Sequence, residues 1–168
     1  MRILIVDDET AVLDLLRQIC AKEGHEPTGA SSAADALVAL RTNSFDLLIT
    51  DIVMAGLDGL ALVRRARVIQ PDLMCIVITG HTCQYTLEDV LAAGATDLIL
   101  KPFRAPELRA RLRLATDQRR VTEQLKARGR DLQTASAEMI DGLQRELNEA
   151  RQQAARYAAA AARGDELV

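Results

Sequence analysis

The stretch LLITDIVMAGLDG (47–59) runs four apolar or β-branched residues straight into a carboxylate, Asp51. A charge at the end of a run that reads as buried is costly unless something compensates it. The pattern recurs elsewhere in the first hundred residues. Asp7, Asp8 and Glu9 follow RILIV (2–6), Thr79 closes MCIVIT (74–79) ahead of Gly80, and Lys101 follows DLIL (97–100). Carboxylates gathered in one place repel one another, and protonation or a cation relieves the strain. An all-oxygen donor set suits a hard divalent ion. Mg²⁺, which takes one or two carboxylates and keeps waters for a phosphate ligand, fits better than a fully caged Ca²⁺. An ammonium and a hydroxyl at the same rim complete an oxyanion site, which prefers a phosphoryl group. Asp51 is then a nucleophile whose carboxylate becomes an acyl phosphate.

For these groups to meet, the intervening chain must bring the run ends to one edge. The four aliphatic runs are short and almost continuous, the pattern of strands covered on both faces, and a weaker strand fits around His25 to Ala30. Helical spacing lies between them: Ala11–Lys22, with Val12, Leu15, Leu16 and Ile19 on one face and Gly24 after it; Ala33–Arg41, capped by Ser31 or Ser32; Leu60–Ile69, stopped before Pro71; and Thr86–Ala93, ended by Gly94. Five strand-helix units with short connections predict a doubly wound α/β fold, a parallel sheet wrapped by helices on both faces. In such a sheet the functional crevice lies beyond the carboxyl ends of the strands. The polar groups sit at those ends.

IVDDE (5–9), TDIVMAGLDG (50–59), ITGH (78–81) and LKPF (100–103), in this order and spacing, resemble the receiver domain of two-component response regulators. The resemblance covers about residues 1–118. It implies a flavodoxin-like five-stranded sheet in the order 2-1-3-4-5 and phosphoryl transfer from a sensor histidine kinase or phosphotransfer protein to Asp51. It further implies Mg²⁺ held by Asp8, Asp51 and the backbone carbonyl of Val53, with Asp7 acting largely through water, and Thr79 and Lys101 on the phosphoryl oxygens. The bond before Pro102 is cis in that family. Some positions depart from the pattern. Leu98 stands where an aromatic usually turns inward as the threonine engages phosphate. Ala55 replaces the usual proline after the phosphoacceptor, and Val53, two places after Asp51, is apolar and cannot orient water.

Several residues also have structural readings. Asp8 and Glu9 are placed to favour the N-terminus of the first helix. Met54 reads as packing, Asp58 with Gly59 as a turn and helix cap without chemical role, and His81 as an exposed loop histidine. Cys20 and Cys75 sit in apolar patterns and read as core, whereas Cys83 lies in a polar stretch; three cysteines without metal spacing give no metal or disulfide framework.

Composition narrows the function classes. Aromatics are 2% with no Trp, which leaves no stacking platform for single-stranded nucleic acid. Residues 1–103 hold 8 Lys/Arg against 14 Asp/Glu, net −6, and residues 104–168 hold 13 against 10, net +3. The basic excess is concentrated in 104–130, which carries 9 basic and 3 acidic residues and reads as a solvated helix face. With no signal peptide and no apolar run near membrane-spanning length, the expectation is a cytoplasmic protein that binds neither membrane nor nucleic acid directly.

After Arg104 the alternation stops and only helix follows, with Pro106 in a tolerated first turn. Val121, Leu125, Arg128, Leu132, Ala135 and Met139 step by four and three, a heptad seam with one Arg. Leu143, Leu147, Ala150, Ala154, Tyr157 and Ala161 continue it after steps of four and four between 139 and 147, so the phase slips by one residue near Gly142. The expected organisation is a receiver over 1–118, a coiled-coil extension over 119–163 that forms a parallel homodimer, and a disordered tail over 164–168. The expected function is a two-component response regulator that accepts and loses its own phosphoryl group without being an enzyme on other substrates. Two other classes compete. A haloacid dehalogenase-type phosphohydrolase also uses a strand-end Asp and Mg²⁺, but needs an acid two places on, where Val53 stands. A receiver-like scaffold would dimerise with a silent acidic rim.

Overall fold

The structure, a computed structural model, describes residues 1–80 and 85–164. His81 and Cys83 lie outside the described residues, as does the tail from 165 onward. The chain divides into two compact units, Met1–Arg119 and Arg120–Val168.

The first unit alternates strand and helix: β1 (Arg2–Val6), α1 (Thr10–Lys22), β2 (Glu26–Ala30), α2 (Ala33–Thr42), β3 (Leu47–Asp51), α3 (Gly59–Ile69), β4 (Met74–Thr79), α4 (Leu87–Ala92), β5 (Asp97–Leu100) and the start of α5 (Ala105–Gly164). The strands form one sheet in the order β2-β1-β3-β4-β5, and all neighbours run parallel. Successive side chains in a strand point to opposite faces. Leu4, Val6, Leu48, Cys75 and Val77 therefore join α2, α3 and α4 in one core layer. Ile3, Ile5, Leu47, Ile49, Ile76, Ile78 and Ile99 join α1 and α5 in the other. Both faces being covered explains why β1, β3 and β4 read as unbroken aliphatic runs.

The helix boundaries follow local chemistry. Ser32 and Asp58 cap α2 and α3 by accepting the N–H of Asp35 and Ala61, and Thr86 with Asp89 forms a capping box on α4. Glu9 is the N-cap of α1 but makes no side-chain cap bond, so the helix-cap reading of that acidic pair is not what its side chain does. Gly24 and Gly94, at φ of 77° and 94°, end α1 and α4 in the left-handed region that glycine enters without a Cβ penalty. Met54 is buried packing, as its sequence context indicates.

Cys20 and Cys75 are fully buried, and burial pushes both thiols up to about 12. Set against the ordinary value of 9.0, the thiolate fraction falls about a thousandfold. Alkylation of these two residues in the native protein is therefore expected to be at least that much slower than in urea, as read by peptide mass mapping.

The part of α5 within the first unit is held by charge as well as by Leu108, Leu112 and Ala115. Arg111 meets Asp97 at 2.9 Å and Arg119 meets Asp46 at 2.9 Å, while Arg109 and Arg113 each lie 3.9 Å from Glu23. Four arginines of the basic stretch thus face acidic partners in the first unit, where the sequence alone suggested a solvated face. In the second unit α5 continues helical through Gly164, the first residue of the expected disordered tail. Val121, Leu125, Leu132, Met139, Leu143, Leu147 and Tyr157 are exposed along it. No helix among the described residues is long and apolar enough to cross a membrane.

Candidate functional site

Parallel strand order places the carboxyl ends of β1, β3, β4 and β5 at one rim. Asp7 follows β1 and is completely buried, and Asp51 is the last residue of β3 and nearly so. Their carboxylates share one cation. The Lys101 Nζ donates to Asp51 Oδ2 at 2.5 Å and to Asp7 Oδ2 at 3.0 Å, with Glu9 Oε1 3.8 Å away. Lys101 is fixed at the backbone too. Its N–H donates to the carbonyl of Thr79 at 2.8 Å, and the Lys101–Pro102 peptide is cis. Thr79 itself ends β4 and is buried. The sequence-predicted groups Asp7, Asp51, Thr79 and Lys101 therefore lie at or just past the carboxyl ends of four strands on one rim, with Asp7, Asp51 and Lys101 in direct contact and Thr79 joined to Lys101 through its backbone carbonyl.

Around them, backbone donors fix the carboxylate orientations. Glu9 N–H donates to Asp7 Oδ1 at 2.9 Å, and Val53 N–H donates to Asp51 Oδ1 at 3.2 Å. Asp8 is exposed and accepts the Ala55 N–H at 3.2 Å, tying the loop after β1 to the loop after β3. Glu9, and not Asp8, completes the group of three carboxylates whose oxygens lie within 4.8 Å of one another, with Asp7 and Asp51. Rotamers at a helix start decide between these adjacent acids, and no sequence signal separates them.

Gly59 is the other residue whose part is not legible in the sequence. The first residue of α3 lies directly against the end of β3. A Cβ there would stand 1.9 Å from the Asp51 carbonyl oxygen and 2.9 Å from Ile52 Cα, both backbone atoms that cannot rotate away. Its N–H donates to the Ile52 carbonyl at 2.8 Å. The Asp51 carbonyl also accepts the Thr50 hydroxyl at 2.9 Å. Gly59 reads in sequence as part of a turn and cap; in space it allows α3 to abut the Asp51 backbone.

The electrostatics follow from burial. Burial raises the Asp7 carboxyl above its ordinary 3.8, the nearby Asp51 charge adds to the rise, and the Glu9 N–H and Lys101 only partly offset it. For Lys101, burial alone would lower the ammonium, but the hydrogen bonds and charges of Asp51 and Asp7 outweigh it and raise the group above 10.5. A part-buried ammonium thus bridges two buried carboxylates at the mouth of the parallel sheet, and with Glu9 beside them the group keeps an excess of negative charge that suits a further cation.

A model of the response regulator receiver domain matches residues 3–113. The chain belongs to the response regulator receiver family. Relatives include the alginate biosynthesis transcriptional regulatory protein AlgB of Pseudomonas putida, 35% identical over 142 residues, and the C4-dicarboxylate transport transcriptional regulatory protein DctD of Rhizobium meliloti, 32% identical over 134. These alignments cover 84% and 80% of the chain but 31% and 29% of the relatives, so the chain spans about a third of their length. Both alignments are longer than the first compact unit, so the likeness runs into the second part of α5. Among solved structures, a CheY-like receiver domain protein from Methanospirillum hungatei is 33% identical with a TM-score of 0.67, covering 72% of this chain and 97% of that one. NtrX from Brucella abortus in complex with ATP is 35% identical with a TM-score of 0.69, covering 74% of this chain and 29% of that one. The receiver fold, its strand order and its long C-terminal helix are those expected from the sequence.

Proposed function

We propose that this receiver accepts a phosphoryl group on Asp51 from the phosphohistidine of a sensor kinase or phosphotransfer protein. The observation that carries the reading is the Lys101 ammonium held between the buried carboxylates of Asp7 and Asp51. An Asp51 carboxylate oxygen attacks phosphorus, the new O–P bond forms as the P–N bond to the donor imidazole breaks, and the imidazole nitrogen leaves with the electron pair and takes a proton. Lys101 exchanges an Asp51 oxygen for a phosphoryl oxygen, and the Thr79 hydroxyl donates to another. β3 is buried along its whole length, so the nucleophile is held in line by a rigid element rather than by a loop.

The donor set fits Mg²⁺, because every available side-chain ligand is a carboxylate oxygen. Asp51 with one of Asp8 and Glu9, the Val53 carbonyl, and Asp7 through water would hold it, and Mg²⁺ would supply positive charge for the phosphoryl oxygens. Val53 occupies the position where a phosphohydrolase needs its acid, so the chemistry stays on the protein's own carboxylate.

The test uses Mg²⁺ and a small acyl-phosphate donor. A single modification with slow phosphate release supports the receiver reading. Rapid multiple turnover would instead make the protein a hydrolase, and no modification would make it a scaffold.

The second part of the proposal concerns the exposed stripe on α5. Most of a helix's stability in a protein comes from packing of its apolar face, and a heptad seam is covered by a second helix. The reading is a parallel homodimer over the 119–163 extension, continuing the receiver of 1–118. Leu132→Asp removes a leucine from each strand of the seam and inserts two facing carboxylates. Dimerisation is expected to weaken by about 3 kcal/mol or more, at least a hundredfold, with sedimentation equilibrium as the check. An unchanged dimer would place the interface elsewhere.

A further inference from the structure

On the sheet face away from α1 and α5, α2 and α3 leave a groove of about 330 Å³ lined by Leu37, Arg41, Arg64, Arg65, Val68 and Ile69. Its floor is aliphatic and its rim cationic. Val68 is 82% exposed, a large β-branched side chain left in water beside the groove. Among the described residues none of Arg41, Arg64 and Arg65 makes an ion pair, although Arg64 exerts a longer-range attraction on Asp89. Three guanidiniums are thus grouped on a segment, 1–103, whose net charge is −6. An apolar floor with a positive rim is complementary to an amphipathic helix that carries carboxylates beside its apolar stripe.

This chain contains such a helix. Residues 138–149 of α5 hold four acidic residues and one basic, net −3. Asp141 is bonded to Arg145 within the helix, but Glu138, Glu146 and Glu149 have no ion pair among the described residues. Met139, Leu143 and Leu147 recur every four residues and are all exposed. This is also where two steps of four turn the stripe out of the heptad phase kept by the flanking segments.

We propose that the Glu138–Glu149 segment of one copy docks in the α2–α3 groove of a second copy. Met139, Leu143 and Leu147 lie on Leu37, Val68 and Ile69, and the three carboxylates meet Arg41, Arg64 and Arg65. Groove and segment are different surfaces, so the contact is heterologous; it takes Met139, Leu143 and Leu147 out of the parallel seam, where the heptad phase breaks, and links copies beyond the dimer held by the flanking heptads. It goes beyond the phosphoacceptor reading and does not depend on the state of Asp51.

Sedimentation velocity on the full chain over a concentration series tests it. The wild type is expected to gain mass beyond the dimer as concentration rises, and to lose that gain at high salt. The double variant Arg64→Glu/Arg65→Glu and the double variant Glu146→Arg/Glu149→Arg should each raise the apparent dissociation constant of this step by about tenfold or more. Mixing the two doubles, or combining them in one chain, should restore association by exchanging the charges, a recovery that misfolding of either variant cannot produce. Circular dichroism confirms that each variant keeps the helix content of the wild type. A wild-type mass that stays at the dimer value at every concentration overturns the docking and leaves the seam and the phosphoacceptor reading standing. Association that persists unchanged in Arg64→Glu/Arg65→Glu, or that the charge exchange fails to restore, overturns it as well.

Discussion

Lys101→Met is expected to slow phosphorylation of the protein by about two to three orders of magnitude, the loss typical of removing one preorganised donor from an oxyanion site. Methionine keeps the length and much of the packing of the lysine stem but removes the charge that bridges Asp7 and Asp51 at 3.0 and 2.5 Å. Stability should respond in the same variant. Breaking a buried ion pair from one side leaves a charge without compensation, at a cost of about 3–5 kcal/mol. Part of this is recovered when Asp7, whose carboxyl is already raised by burial, takes up a proton. The sign follows from linkage. A carboxyl whose folded pKa lies above its unfolded 3.8 binds more protons in the folded state, so its contribution is greatest below 3.8 and is lost as pH rises through the folded value. That loss should deepen in Lys101→Met and be relieved by millimolar Mg²⁺, which binds only the folded site. In the wild type Lys101 acts at the other end. Its stabilisation is fully present below 10.5 and disappears as pH climbs through the raised folded value, an alkaline limb that Lys101→Met should lack. Urea melts against pH, with and without Mg²⁺, read all of these. Equal phosphorylation rates in Lys101→Met and wild type would remove Lys101 from the chemistry.

Gly59→Ala should be nearly as damaging while touching no charged group. The new methyl meets the Asp51 carbonyl oxygen at 1.9 Å, so either α3 retreats or the end of β3 moves. Overpacking costs about 1–3 kcal/mol where side chains can yield. Here the obstacles are backbone atoms, and a loss of about 3 kcal/mol or more is expected. If β3 yields, a displacement of about 1 Å at the nucleophile costs on the order of a hundredfold in rate. Thermal unfolding and the phosphorylation rate measured together tell which element moves. A stable variant with a slow rate assigns Gly59 to positioning Asp51. An unstable variant with a normal rate per folded molecule assigns it to packing alone. Ala55 is exposed in the middle of the same loop, and Ala55→Ser should leave both readouts within experimental error.

Legibility in the sequence tracks how local the physical cause is. β1, β3 and β4 were readable because both of their faces are buried, leaving no polar position to interrupt the run. β2 gave a weak signal for the complementary reason. It is an edge strand, and Glu26, Thr28 and Gly29 of EPTGA are exposed. Ser31 or Ser32, Asp58 and Thr86 marked helix starts because capping is a contact across three residues, and of the two serines it is Ser32 that caps. Asp7, Asp51, Thr79 and Lys101 were legible because strand order alone carries their backbones to one rim. What failed to show in the sequence depends on tertiary distance. Glu9 rather than Asp8 beside the other two carboxylates is a matter of side-chain rotamers. The approach of Gly59 to Asp51 is set by the angle at which α3 leaves its loop. Arg111 with Asp97 and Arg119 with Asp46 require knowing which helix face meets the sheet. The absence of an aromatic at Leu98 was visible in the sequence, and in the structure Leu98 is half-buried against the core layer that also receives Tyr85.

The most direct test of the central claim is the intact mass of the protein after incubation with Mg²⁺ and acetyl phosphate. Wild type should gain one phosphoryl group, lose it on treatment with neutral hydroxylamine as an acyl phosphate must, and gain none when Asp51 is replaced by Asn. A wild-type mass that does not change, or a phosphoryl group that still appears in Asp51→Asn, would contradict the assignment of Asp51 as the acceptor.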